Sequence, residues 1–226
     1  MFQKVIFCLL FLFIPLNRAA VNTVANSPFT SSEPVSELAA GEQLFEEMEL
    51  GGTVNFIAFR QAVAGYNRIK EKSKPILTLI DFSKPSTEKR FFVFDMEKKK
   101  LLYSSVVAHG RNSGENYATS FSNQYGSYKS SLGFYLTENT YQGGNGYSLI
   151  LNGLEKGIND KAKARSIVVH GAPYANPGRL GRSLGCPALP TKLARPIINT
   201  IKDGSVMFIY ANNPHYLAQS NILHKN

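Results

Sequence analysis

The chain has 226 residues, 43% of them apolar and 18% charged, which is enough apolar material for one domain with a sizeable core and excludes a wholly disordered chain. Its formal net charge is +9, but Lys and Arg are scattered instead of forming a stripe, a weak signal for nucleic acid that would equally suit a polyanionic envelope polymer or anionic lipid. No Walker loop, dinucleotide fingerprint, CxxC pair, HExxH or RNA/DNA-module motif occurs, so neither a cofactor, a metal nor a nucleic-acid partner is expected.

At the amino terminus, one Lys is followed by an apolar run from Val5 to Leu16 and then by small and polar residues. That run is too short to span a bilayer, so residues 1–25 read as a secretory signal peptide, with Thr23-Val24-Ala25 or Arg18-Ala19-Ala20 as cleavage candidates; a short uncleaved anchor is the other reading. Cys8 lies inside the apolar run, lacks the small residues that precede a lipoprotein Cys, and is removed with the peptide. The mature chain then carries one cysteine, Cys186, and an unpaired thiol in an oxidising compartment is a liability unless it is buried or used. The implied location is the cell envelope, in the periplasm, for a monomer whose membrane contact is confined to the signal peptide.

Residues 26–34, rich in Ser, Pro, Thr and Glu, form a flexible leader. Val35 to Met48 has a helical pattern that stops at Gly51-Gly52, and Phe56, Phe59, Val63, Tyr66 and Ile69 recur at helical steps from Asn55 to Lys72. Residues 35–74 are therefore expected as a helical brace against a domain over 75–211. At Pro75 the period changes to that of strands: Ile76–Phe82, Arg90–Asp95 and Leu101–His109 read as an antiparallel meander, with the lysines at 98–100 on a solvated hairpin tip. The polar, Tyr-bearing stretch that follows His109-Gly110 is long enough to line a binding site. Phe134–Thr137 and Tyr147–Leu151 read as a hairpin around the turn at 142–146, Leu193–Ile201 as a helix despite Pro196, and Ser205–Tyr210 as a last strand. Residues 212–226 read as a polar tail, ordered only in part.

Between those elements lies SIVVHGAPYANPGRLGRSLGCPALP, from Ser166 to Pro190. Its first residues read as a short buried strand with His170 at its end. Gly171, Pro173, Pro177, Gly178 and Gly181 then make a loop that closes on Ser183-Leu184-Gly185-Cys186. An imidazole brought back beside a thiol can take its proton and generate a nucleophilic thiolate. Gly185, without a Cβ, would let main-chain N–H groups face an oxyanion. The bland alternative is a buried Cys and a hydrogen-bonded His without chemistry.

His170-Gly171, the Pro/Gly-rich loop and Ser183-Leu184-Gly185-Cys186 resemble the signature of the L,D-transpeptidases of the YkuD type. With VVAHGRNSG, ATSFSN, SSLGFY and GRSLGCPALP, the resemblance is to the divergent murein L,D-transpeptidase branch and covers roughly Ala58 to Ala211. It implies a mainly β, YkuD-like β-sandwich catalytic domain, α+β overall once the N-terminal helices are counted, that acts on peptidoglycan stem peptides. By resemblance Cys186 attacks the carbonyl preceding a terminal D-alanine, and His170 is general base and then acid. The Gly171 carbonyl orients the ring, Ser183 holds the motif's hydroxyl position, and the N–H groups of Gly185 and Cys186 are the oxyanion donors. This chain departs from the common form in having Leu184 before Gly185 and Pro187-Ala188 where an Arg follows the Cys. Arg182, Arg179 and Arg111 are the candidate replacements for that cation. His109 competes as base and otherwise joins Arg111, Tyr117, Ser122, Asn123 and Arg182, with Lys129, as a substrate-pocket residue. An L,D-carboxypeptidase using the same thiol and a noncatalytic wall-binding module are the alternative functions.

Overall fold

The computed structural model describes residues 35–177 and 182–224. The signal peptide, the leader and Arg179 of the Pro/Gly loop lie outside the described residues. Two helices open the chain, α1 (Val35–Glu47) and α2 (Phe56–Arg68). Helix α2 begins at Asn55, whose side-chain oxygen accepts the N–H of Ile57 at 3.0 Å and of Ala58 at 3.4 Å, satisfying donors that the first turn leaves without partners. Its buried residues Phe59, Ala62, Val63 and Tyr66 form one face at helical spacing. Gly65 sets how closely that face approaches the sheet, since a Cβ there would stand 2.1 Å from the Phe134 ring.

The strands are β1 (Ile76–Asp81), β2 (Phe91–Asp95), β3 (Lys100–Ser105), β4 (His109–Gly110), β5 (Gly133–Gly143), β6 (Gly146–Gly153), β7 (Val168–Ala172), β8 (Arg182–Ser183) and β9 (Ala188–Pro190), with β10 (Val206–Tyr210) following α3 (Thr191–Ile201). Eight of them form one sheet in the order β3-β2-β1-β10-β5-β6-β7-β9, and β4 pairs with β8 in a separate ladder. The architecture is mainly β and α+β overall, as the sequence implies. The meander β1-β2-β3 is antiparallel as expected. The β1–β10 and β7–β9 pairs are parallel, so the sheet is mixed, a property no local pattern in the sequence displays. Rings fill the core, with Phe134 stacked on Phe208 at 4.1 Å between centroids and Phe59 edge-on to Phe94 at 5.1 Å. Fully burying each such ring contributes about 2 kcal/mol.

Three expectations need correcting. The third strand stops at Ser105, and His109-Gly110 turns away to pair with Arg182-Ser183. His170 lies in the middle of β7, not at its end. The polar tail contains helix α4 (Pro214–Gln219), capped by Asn213, with Tyr216, Leu217 and Leu223 in the core. Three apolar side chains spaced through a polar segment are enough to dock it.

Candidate active site

Parallel neighbours cannot be joined by a tight hairpin, because the chain must travel back to the first strand's starting end. Between β7 and β9 the Pro/Gly-rich excursion makes that crossover. It sets His170 opposite Ala188, and the main-chain N–H of His170 donates to Pro187 O at 3.4 Å. Cys186 is thus delivered next to the strand that carries His170. Helix α3 packs behind the pair, its Ala194 so near Gly171 that a Cβ on the glycine would lie 3.0 Å from the Ala194 Cβ. The His-Gly dipeptide therefore has a packing reason in its second residue.

The imidazole of His170 is buried, and its Nδ1 lies 3.1 Å from Gly171 O. A carbonyl can only accept, so the proton sits on Nδ1 and the lone pair on Nε2, which has no hydrogen-bond partner among the described residues. Burial holds the ring below its ordinary 6.5 against the opposing pull of that carbonyl, so His170 is a neutral base at pH 7. Cys186 is 7% exposed, and its thiol donates to Ser166 O at 3.6 Å. Burial pushes the thiol up, while the Val168 N–H, the Arg165 charge and the residue's own N–H pull it down. Both groups therefore rest uncharged at pH 7.

The turn that carries the thiol is stapled by Ser183. Its hydroxyl donates to Cys186 O at 2.6 Å and accepts the Gly185 N–H at 3.0 Å. The Gly185 N–H expected at an oxyanion is thus already engaged within the turn, and the Cys186 N–H is the remaining expected donor. Gly185 itself has φ +126°, a left-handed conformation that favours glycine. Ser130 fixes the turn from the other side, donating its hydroxyl to Gly185 O at 3.0 Å.

His109 differs from expectation. It is fully buried, its Nδ1 accepts from Arg90 Nη2 at 2.7 Å, and its Nε2 donates to Gly114 O at 3.1 Å. Burial, helped by the Arg90 charge, lowers it to about 4. Both ring nitrogens are thus engaged within the protein, which makes His109 a buried, hydrogen-bonded histidine. The reason lies in Arg90, itself fully buried. Arg90 also donates to Val107 O (2.7 and 3.1 Å) and Lys84 O (3.0 Å), lies over the Phe82 ring, and is pushed down to about 9 by burial.

The remaining sequence candidates are dispersed. Arg182 pairs with Glu115, and the guanidinium of Arg111 stacks over Tyr128 at 4.2 Å. Tyr117 is half exposed and lines a hollow of about 370 Å³ with Phe82, Phe121 and Asn213. Asn123 bridges to Asp160 Oδ1 (2.7 Å) and the Lys161 N–H (3.1 Å), and Lys129 Nζ donates to Ser120 Oγ at 2.7 Å. The Ser122 carbonyl accepts from Arg165 Nη1 at 2.7 Å. Two groups that couple electrostatically to the sulfur were not singled out in the sequence: Arg165 and Tyr174. Arg165 sits in a basic run just before β7, where its charge is indistinguishable from surface charge until the fold is known. A further hollow of about 290 Å³, lined by Tyr141, Ile150, Lys163, Ser166, Ile167 and Val168, borders the segment on which the thiol packs. Among the described residues, no group of three His, Cys, Asp or Glu side chains is placed to hold a metal ion.

The chain covers 61% of its own length and 59% of the other chain in a match to an L,D-transpeptidase from Mycobacterium smegmatis, at 14% identity and a TM-score of 0.39. L,D-transpeptidase 3 from Mycobacterium tuberculosis matches at 14% identity over 60% of this chain and 61% of that one, with a TM-score of 0.40. An L,D-transpeptidase from Stackebrandtia nassauensis matches at 13% identity over 80% and 81%, with a TM-score of 0.39. The chain thus spans about three fifths of the length of the two mycobacterial proteins. No curated protein matches it. The model of the L,D-transpeptidase catalytic domain matches residues 51–210, a span that takes in α2, the whole sheet and both halves of the His170–Cys186 crossover, and on that match the chain belongs to the L,D-transpeptidase catalytic domain family.

Proposed function

We propose that this protein is a cysteine acyltransferase that acts on peptidoglycan stem peptides. The observation that carries the reading is the His170 ring, held through Nδ1 by Gly171 O with Nε2 unpartnered among the described residues, on the strand paired to the segment leaving Cys186. The Cys186 thiol turns from Ser166 O toward that nitrogen. As the sulfur bonds to the carbonyl carbon preceding a terminal D-alanine, its proton passes to Nε2, and the carbonyl oxygen becomes an oxyanion facing the Cys186 N–H. Collapse breaks the C–N bond; the leaving amine takes the proton from the imidazolium, giving free D-alanine and a Cys186 thioester. An amine of a second stem then attacks the thioester and gives its proton to His170. The C–S bond breaks, and the sulfur recovers that proton from the ring. Water in place of the amine makes the same site an L,D-carboxypeptidase. The substrate lies outside the cytoplasmic membrane, which agrees with residues 1–25 acting as a secretory signal and with a periplasmic location.

Defined tetrapeptide stems, incubated with and without an amine acceptor and followed by mass spectrometry, test the reading. A thioester on the Cys186 peptide with cross-linked dimer is the expected result. Tripeptide without dimer assigns the carboxypeptidase, and no adduct or turnover on any stem leaves a noncatalytic wall-binding module.

A further inference from the structure

Arg165 makes no hydrogen bond to the thiol turn itself, but it grips the segment that packs against that turn. Its guanidinium makes four hydrogen bonds to one segment: Nη1 donates to Ser122 O (2.7 Å) and Ser131 Oγ (2.5 Å), and Nη2 to Lys129 O (2.7 Å) and Ser127 Oγ (3.2 Å). That segment abuts the nucleophile's turn. The Lys129 carbonyl is the atom that would stand 2.9 Å from a Cβ on Gly185, and the next residue, Ser130, donates to Gly185 O at 3.0 Å. Ser130 is fixed in turn by Ser113 Oγ, which accepts its N–H at 2.9 Å, and its own Oγ accepts the Gly110 N–H at 3.0 Å. In sequence Arg165 directly precedes Ser166, whose carbonyl holds the resting thiol.

We infer that Arg165 is the positioning residue of the Cys186 nucleophile: it clamps the 122–131 segment against the Gly185–Cys186 turn and presents a fixed positive charge to the sulfur. This rests on the acyltransferase reading for its role in turnover, but not for its effect on the thiol. Two ionisable groups among the described residues couple to the Cys186 charge, Arg165 and Tyr174. The second is a phenol that burial keeps in its neutral form, and His170 is neutral too. Arg165 is the cation of the set. A planar fork suits four acceptors spread over a loop in a way that an ammonium does not. The cation that the family's common form carries after the Cys is thus replaced here from another element, the run before β7.

The test uses the full chain with Arg165→Gln and Arg165→Lys, reading the rate of Cys186 alkylation by iodoacetamide against pH, together with kcat and KM on a tetrapeptide stem. For Arg165→Gln the alkylation midpoint moves up by about one pH unit, and kcat at pH 7 falls about tenfold while KM holds. Arg165→Lys keeps the midpoint near that of the wild type, because the charge survives, yet does not restore kcat. An Arg165→Gln protein with unchanged alkylation profile and kcat overturns the inference. Should the Gln variant fail to fold, the Lys variant decides: wild-type kcat in it removes the clamp. If wild-type protein is never acylated by any stem but the alkylation shift persists, the acyltransferase reading fails alone, and control of the thiol by Arg165 stands.

Discussion

The α-carbon of Gly185 lies so near Lys129 that a Cβ added to it would stand 2.9 Å from the Lys129 carbonyl oxygen. The same Cβ would meet Ile167 Cδ1 at 2.9 Å, on a backbone at φ +126°. The glycine before Cys186 is therefore required twice, for its dihedral and for the close approach of the loop. Gly185→Ala is expected to cost about 1–3 kcal/mol from the backbone conformation alone. Displacement of the turn should slow Cys186 acylation about a hundredfold. Urea unfolding and burst-phase adduct formation check both numbers; a variant acylated at the wild-type rate shows that the turn tolerates a side chain.

Cys186→Ala removes the adduct entirely, and His170→Ala slows its formation by about 10²–10⁴-fold. Because burial holds His170 below 6.5, its base form persists to lower pH than that of a free imidazole. The acid limb of kcat/KM should then fall below pH 6.5. An acid limb above that value means that a different group, or a charged thiolate–imidazolium pair, governs the reaction.

His109 gives a stability limb instead of a catalytic one. Its folded value of about 4 lies below the unfolded 6.5, so above 6.5 both states are neutral and the full stability is present. As pH falls from 6.5 toward 4 the unfolded chain takes up a proton that the folded one refuses, and stability drops by on the order of 3 kcal/mol across that window. His109→Phe should flatten this dependence while costing roughly 1–3 kcal/mol at pH 7, because it leaves a donor of Arg90 unpaired. Denaturant midpoints between pH 7 and pH 4 decide the matter, and retention of the limb in the variant assigns it elsewhere.

The carboxyl-terminal segment is part of the core. Tyr216 donates its hydroxyl to the buried Glu155 Oε2 at 3.1 Å, and that same oxygen accepts the Phe134 N–H at 2.7 Å; Ser220 donates to Oε1. Truncation after Ala211 should cost roughly 3 kcal/mol or more, since it uncovers the contacts of Tyr216, Leu217 and Leu223. Tyr216→Phe should cost about 1–2 kcal/mol by leaving the carboxyl with one partner fewer. A truncated protein that unfolds at the wild-type urea concentration would show the helix to be an ornament of the fold.

Much of this protein is legible one residue at a time. The helical spacing of Phe59, Val63 and Tyr66 places α2, the apolar run after Pro75 marks where strands begin, and Gly144-Asn145 reads directly as the hairpin tip between β5 and β6. Ser183-Leu184-Gly185-Cys186 and His170-Gly171 also announce themselves, because a thiol kept unpaired and an imidazole after an apolar run are rare combinations of type and place. Such features depend on neighbours within a few positions, where dihedral preference and side-chain period act.

His109 and Arg165 show where that legibility ends. In sequence His109-Gly110 and His170-Gly171 both follow an apolar run, and only the burial of Arg90 against its Nδ1 engages both nitrogens of the first histidine, while the Nε2 of the second has no hydrogen-bond partner among the described residues. Likewise Arg165 is one positive charge among many until β7 and the 122–131 segment are brought together, when its fork meets four acceptors and the thiol turn lies behind them. Residue type and spacing determined which side chains are candidates for the proposed acyl transfer. Which segments lie side by side was decided by the parallel β7–β9 pairing, since desolvation and fixed donors act through space over a few ångströms and leave no mark in the order of the residues.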